Sequence, residues 1–156
     1  MTTNTPIFPQ VIQSYVQTYV NADGNTIKPV VTAGSSGTKI NWITITNTDP
    51  MDGYDIQFYL NDGTNNYLLT TMNVLENSGN SDNFYPIVVF QPNNPSMYIF
   101  SPMPFLTFDS NGNYFMYLKA GWSLNAGIAP ITTGFNQQST VQGSYQVSIL
   151  AQGEDF

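Results

Sequence analysis

Residues 54–74 read YDIQFYLNDGTNNYLLTTMNV. Their centre, Asn61-Asp62-Gly63-Thr64-Asn65-Asn66, has two readings: an acidic, amide-rich site for a metal or a sugar, or a turn. The flanks decide between them. Before the centre, Ile56, Phe58 and Leu60 alternate with Asp55, Gln57 and Asn61, with Tyr59 the exception on the polar side. After it, Leu68, Thr70, Met72 and Val74 share a face. Alternation with period two marks a half-buried strand. Asp-Gly between two such runs supplies the positive φ that a tight hairpin needs. The stretch is therefore a hairpin, and its polar tip is a connection.

The same punctuation recurs along the chain. Asp23-Gly24, Asp52-Gly53 and Asn111-Gly112 are expected to close further hairpins. Towards the C-terminus, Tyr145, Val147, Ile149 and Ala151 alternate with Ser144, Gln146 and Ser148. KINWITITN, residues 39–47, is less regular: Ile40 and Trp42 fall on one face, Ile43 and Ile45 on the other. That pattern predicts a central strand, or one covered on its outer side. Strands are expected near 12–20, 27–33, 38–47, 54–61, 66–75, 84–91, 97–100, 105–108, 114–119, 122–128 and 144–151. No helical periodicity exceeds about two turns. The expectation is an all-β chain: a single antiparallel β-sandwich, jelly-roll-like, over residues 11–156. Two regions depart from it. Residues 1–10 form an extended N-terminal arm with Ile7 and Phe8 between Pro6 and Pro9. Residues 86–104, PIVVFQPNNPSMYIFSPMP, are a Pro/Met-rich insert.

Composition narrows the function. A chain of 156 residues is the length of one domain and needs no staples. It has no cysteine, so disulfides, thiolate nucleophiles and cysteine-based metal centres are excluded. It has no histidine, which removes the Ser-His-Asp and Cys-His pairs and the imidazole ligand. Lys28, Lys39 and Lys119 are the only basic side chains, against a net charge of −7. A surface of that sign does not bind nucleic acid or an anionic membrane. No segment has the ~20 apolar residues of a helical membrane span. MTTNTPIFPQ lacks the basic region and apolar run of a signal peptide, so synthesis in the cytoplasm is expected. Only 8% of residues are charged, while 14% are aromatic. Asn, Thr, Ser, Gln and Tyr carry the surface. That suits a rigid β-scaffold meeting other proteins or carbohydrate.

Each polar cluster has a structural reading beside the chemical one. A glycosidase needs two carboxylates across one bond. Glu76 and Glu154 are the only glutamates, and Asp23, Asp49, Asp52, Asp62, Asp82 and Asp109 lie in turn-like stretches where Asp caps its own backbone. No catalytic residue, cofactor or metal is expected. DSNGNY, residues 109–114, has the alternating oxygens of a calcium loop, but glycine comes at the fourth position, not the sixth, and no bidentate acid follows. A hairpin at Asn111-Gly112 accounts for the same residues. Trp122 shares the period of Leu124 and Ala126, and Trp42 that of Ile40, so both indoles are expected in packing; exposed, they would suit a sugar platform. In the insert, Met97, Tyr98, Phe100, Met103 and Phe105 are too apolar for a solvated loop. They fold onto their own sandwich or form an interface. Ile7, Phe8 and Pro9 of the arm are the second expected contact element.

Four segments carry a resemblance: VVTAGSSGTKINWITITNTDP, IQFYLNDGTNNYLLTTMNV, YLKAGWSLNAG and the ending VSILAQGEDF, in that order, with an NTD turn closing the first. The matching positions are Thr32, Ala33, Gly34, Gly37 and Ile40; Asn47, Thr48 and Asp49; Tyr59 to Gly63 with Tyr67 to Leu69; Leu118, Ala120, Gly121 and Leu124; and Gly153, Asp155 and Phe156. Together they resemble a family of small virion proteins of tailed bacteriophages. The resemblance covers most of residues 28–156 and departs from the pattern at 84–108. It implies a non-enzymatic auxiliary or decoration protein on the capsid exterior. Its partners would be the major capsid protein or other virion proteins, and it would form homo-oligomers or symmetric clusters on the shell. A carbohydrate-binding adhesion module and a tail or baseplate component are the alternatives.

Overall fold

The computed structural model describes residues 11–90, 106–130 and 138–156. Ile7, Phe8 and Pro9 of the arm lie outside the described residues, as do Met97, Tyr98, Phe100, Met103 and Phe105 of the insert. The strands are β1 Val11–Tyr19, β2 Lys28–Thr32, β3 Thr38–Asn47, β4 Tyr54–Asn61, β5 Asn66–Val74, β6 Ile87–Phe90, β7 Thr107–Phe108, β8 Tyr114–Leu118, β9 Ser123–Ile128 and β10 Val147–Asp155. They build two antiparallel sheets. One has the order β1-β10-β3-β8-β7, with β6 pairing the other half of β3; the second has the order β2-β9-β4-β5. With the β7–β8 hairpin set aside, eight strands remain among the described residues. Their order is first-eighth-third-sixth in one sheet and second-seventh-fourth-fifth in the other. This is the jelly-roll arrangement of two Greek keys.

That topology explains which turns close hairpins. Asp62-Gly63 joins the neighbours β4 and β5, and Asn111-Gly112 joins β7 and β8. Asp23-Gly24 and Asp52-Gly53 do not close hairpins: each carries the chain from one sheet to the other. A Greek key needs corners as well as hairpins, and Asp-Gly suits both because its use is local. At the first corner the Asp23 carboxylate accepts the Val20 N–H and pairs with Lys28 Nζ at 2.6 Å.

The core lies between the sheets. Ile40, Ile43, Ile45, Phe90, Met116, Leu118, Val147 and Ile149 of the larger sheet face Val31, Ile56, Phe58, Val74, Leu124 and Ile128 of the smaller. Each such side chain contributes about 1.5–3 kcal/mol by leaving water. Tyr19 crosses the sandwich: it is fully buried and its hydroxyl donates to the carbonyl of Ala126. The last strand begins at Val147 rather than 144 and runs on to Asp155, paired on both sides.

Two bulges set which side chains reach this core. On β3, Gln152 stands opposite Trp42 and Gly153 opposite Ile40, so Asn41 is an extra residue. The bulge shifts the alternation, so Ile40, Ile43 and Ile45 are all buried while Trp42 is 41% exposed. The strand is central but not apolar on both faces, and Trp42 is not in the core. On β5, Phe58 pairs with Thr70 and Tyr59 with Leu68, which leaves Leu69 as the extra residue. Leu69 packs on the core and Leu68 is exposed, the reverse of plain alternation.

Candidate interaction face

The outward side chains of the six-stranded sheet follow from its register. Ile12, Glu154, Lys39 and Tyr117 form one row across β1, β10, β3 and β8. Ser14, Gln152 and Trp42 form the next. Val16, Leu150, Thr44 and Val88 form the third. Five large apolar side chains on this face are open to solvent: Ile12 73%, Val16 66%, Tyr117 49%, Trp42 41% and Leu150 41%. Val16 and Leu150 are direct cross-strand partners, and Trp42 lies diagonally beside Leu150. The charges in these rows are Lys39 and Glu154, opposite each other in the ladder. Lys39 Nζ lies 4.9 Å from the Phe115 ring centroid.

The outer face of the four-stranded sheet is different. Its rows carry Asp55, Gln57, Tyr59 and Asn61 of β4, with Asn66, Leu68, Thr71 and Asn73 of β5 and Ser123 and Asn125 of β9; Leu68, opposite Tyr59, is 55% exposed, and the rest of these side chains but Tyr59 are polar throughout. The polar groups satisfy one another. Asn61 Nδ2 and Asn125 Nδ2 both donate to Asn66 Oδ1 at 2.9 Å, and Ser123 Oγ donates to Asn125 Oδ1 at 2.8 Å. Tyr59 donates to Gln57 Oε1 at 2.7 Å, and Asn73 Nδ2 to Asp55 Oδ1 at 3.1 Å. A face of mutually bonded amides and hydroxyls is at rest in water. An apolar face is not.

Among the expected turn aspartates, Asp23, Asp49, Asp62 and Asp109 bond the backbone around them. Asp62 Oδ1 accepts the N–H groups of Thr64 and Asn65, and Oδ2 accepts the Tyr67 hydroxyl. The Asn65 and Thr64 amides hold its carboxyl below the usual carboxylate range. Asp109 Oδ1 accepts the N–H groups of Asn111 and Asn113, and Oδ2 the Asn113 side-chain amide. The Asn113 bonds lower its pKa in the same way. The DSNGNY segment spends these oxygens on its own hairpin. Among the described residues, no three His, Cys, Asp or Glu side chains gather as a metal cluster.

Asp49 is the buried exception. The NTD turn is a corner in which Asp49 Oδ1 accepts the N–H groups of Met51 and Asp52 at 2.9 and 3.1 Å, and Oδ2 accepts the Tyr54 hydroxyl at 2.6 Å. Tyr54 in turn accepts the Gln142 N–H at 3.1 Å. Asn47 Nδ2 bridges the carbonyls of Asp52 and Leu75 at 2.9 and 3.1 Å. Burial, then the Asp49 carboxylate, raises the Tyr54 pKa well above its usual value.

Other signature residues meet at the opposite end. Asp155 accepts the hydroxyls of Thr38 and Tyr15, and Thr38 Oγ1 accepts the Gly34 N–H at 2.9 Å. The Phe156 N–H donates to the Gly37 carbonyl, and the Phe156 ring lies 5.7 Å from Tyr117. Gly37 has φ +108°, and a Cβ there would lie 2.5 Å from the Tyr117 hydroxyl oxygen. A Cβ on Gly153 would lie 2.7 Å from the Lys39 carbonyl oxygen. TAGSSG and GEDF are thus two halves of one clasp.

The candidate residues of the arm and insert are not placed by this arrangement. Of the two indoles, Trp42 is on the exposed face. Trp122 is half-buried before β9, with Lys119 Nζ 5.0 Å above its ring. Sequence reading missed Ile12, Val16 and Leu150. The available signal was that β1 carries apolar residues on both faces, Tyr15 and Tyr19 on one, Ile12 and Val16 on the other. Comparison with protein-family models, curated proteins and solved structures finds no match for this chain.

Proposed function

We propose that this chain is a structural protein of a tailed-bacteriophage virion, an auxiliary or decoration protein bound to the capsid exterior that stabilises the particle. The contrast between the two sheet faces carries the reading. One face exposes Trp42, Val16, Leu150, Ile12 and Tyr117 around a single pair of opposite charges. The other is mainly an amide and hydroxyl network, with Leu68 as its exposed large apolar side chain. A decoration protein needs one side for its shell and one for solvent. In this reading the apolar face docks on the major capsid protein or another virion component, and repetition over the lattice supplies avidity. The signature segments form a corner and a clasp, which is what a shared scaffold requires. A tail or baseplate position uses the same face in the same way.

The exposure of Trp42 also favours the second reading, a carbohydrate-binding module. Its neighbours weigh against it. Trp42 has the Gln152 amide opposite it and Glu154 in the next row, but Leu150 beside it and Val16 beyond continue an apolar strip along the sheet, which suits a protein contact better than a sugar ring. The test is the copy number of the protein on purified particles. Trp42→Ser with Leu150→Ser is expected to remain folded and to lose occupancy. Thr71→Glu on the opposite face should keep it. With so few charges at the contact, occupancy should vary little between low and high salt. Unchanged occupancy of the double variant removes the docking face. Hits on a glycan array that vanish with Trp42→Ser would replace this reading with the second.

A further inference from the structure

The edge strand β1 has an open hydrogen-bonding side whose spacing matches itself. The Gln146 carbonyl accepts the Thr48 N–H, so the even-numbered residues of β10 bond β3 and its odd-numbered residues bond β1. The odd-numbered residues of β1 are consumed in that ladder, from Val11 opposite Asp155 to Tyr19 opposite Val147, with no register shift. Its even-numbered residues turn their N–H and C=O groups away from β10. At one end these are capped. The Thr18 carbonyl accepts Lys28 Nζ at 3.2 Å, and the Val20 N–H donates to Asp23 Oδ2 at 2.8 Å. Ile12, Ser14 and Val16 have no such cap among the described residues.

Proteins usually blunt an edge of this kind with a charge, a proline or a bulge. VIQSYVQTY has none of them. The geometry points to a second copy of this chain as the occupant, joined by antiparallel β1–β1 pairing about a two-fold axis at Ser14. In that register Ser14 meets Ser14, and Ile12 of each copy meets Val16 of the other. It is the register that uses all three open residues, and each pair exchanges two backbone hydrogen bonds. It also sets apolar side chains opposite apolar side chains on the outer face, with no charge brought near its like. The exposed strips through Val16, Leu150 and Trp42 of the two copies then lie side by side on one continuous sheet. The capped end at Thr18 confines the pairing to the first two thirds of the strand.

The pairing is independent of docking to a particle. A dimer that binds no particle leaves it standing, and a particle-bound monomer removes it alone. The chain has no cysteine, so Ser14→Cys introduces a single thiol. In a hydrogen-bonded antiparallel pair the two Cα atoms are ~5.5 Å apart, within the span a disulfide bridges. The experiment uses the full chain. Sedimentation across a concentration series is expected to give twice the 17.3 kDa monomer mass. Under mild oxidation Ser14→Cys should form the disulfide dimer about a hundredfold faster than a Thr71→Cys control on β5, because pairing raises the effective thiol concentration. Val16→Lys and Ser14→Pro should each give a monomer with an unchanged circular dichroism spectrum; the Ser14 N–H serves no bond to β10. A monomer at every concentration overturns the pairing. So does equal cross-linking of the two cysteine variants, or a dimer that survives either Val16→Lys or Ser14→Pro.

Discussion

Tyr54→Phe tests the buried corner directly. The Tyr54 hydroxyl is fully buried, donates to a carboxylate oxygen of Asp49 at 2.6 Å and accepts the Gln142 N–H at 3.1 Å. Removing one oxygen atom loses a hydrogen bond to a charged group, about 1.5–3 kcal/mol, and orphans a backbone donor at a further cost of about 1 kcal/mol or more. Gln142 is only partly buried, so water can reach its N–H and the lower figure applies there. The expected loss is about 3 kcal/mol, or a fall in Tm of roughly 6–12 °C for a domain of this size. Equilibrium unfolding in guanidinium should show the loss as a lower midpoint at unchanged slope. Tyr59→Phe is the control: that hydroxyl bonds Gln57 at the surface, and its loss should cost under about 1 kcal/mol. A double-mutant cycle with Asp49→Asn should return a coupling above about 1 kcal/mol. Equal losses for Tyr54→Phe and Tyr59→Phe, or a coupling near zero, would refute the account of Asp49 as a carboxylate held by its corner.

Three further outcomes follow from the same geometry. Tyr19 and Tyr54 are pushed up from the ordinary tyrosine value chiefly by burial, so ultraviolet titration should leave them protonated above the ordinary tyrosine range of about pH 10. Because the folded values are raised, their stabilising contribution is complete below that pH and is lost as the pH rises through the folded values; a single ionisation step for all ten tyrosines, with no alkaline loss of stability, would contradict this. On β5, Leu69→Asp should cost about 2 kcal/mol or more while Leu68→Asp stays within about 0.5 kcal/mol. The opposite order in urea unfolding would place the bulge elsewhere. Gly37→Ala adds a Cβ at a positive φ and against the Tyr117 hydroxyl, and should lower stability by about 2 kcal/mol or more; a neutral result would mean that the clasp gives way freely.

Patterning along the chain specified the strands within the described residues, apart from their exact ends, the hairpin at Asp62-Gly63 and the structural use of Asp23, Asp49, Asp62 and Asp109; the strand expected at 97–100 lies outside the described residues. Those features depend on neighbours a few residues apart: alternation of apolar side chains, a glycine where φ is positive, a carboxylate over its own amides. The sequence also determined what chemistry the chain lacks, since no fold supplies a missing thiol or imidazole. The tertiary structure decided which face each residue shows. Asn41 and Leu69 are extra residues only relative to the strands beside them, and each shifts the alternation of its own strand. That is why Trp42 is outside with Val16 and Leu150, and why Leu69 is inside where Leu68 was expected. The same holds for the corners: Asp52-Gly53 and Asp62-Gly63 look alike along the chain, and the sheet order alone makes one a crossing between sheets and the other a hairpin. A period of two is local, but its phase belongs to the pairing between strands, and pairing joins residues as far apart as Val11 and Asp155.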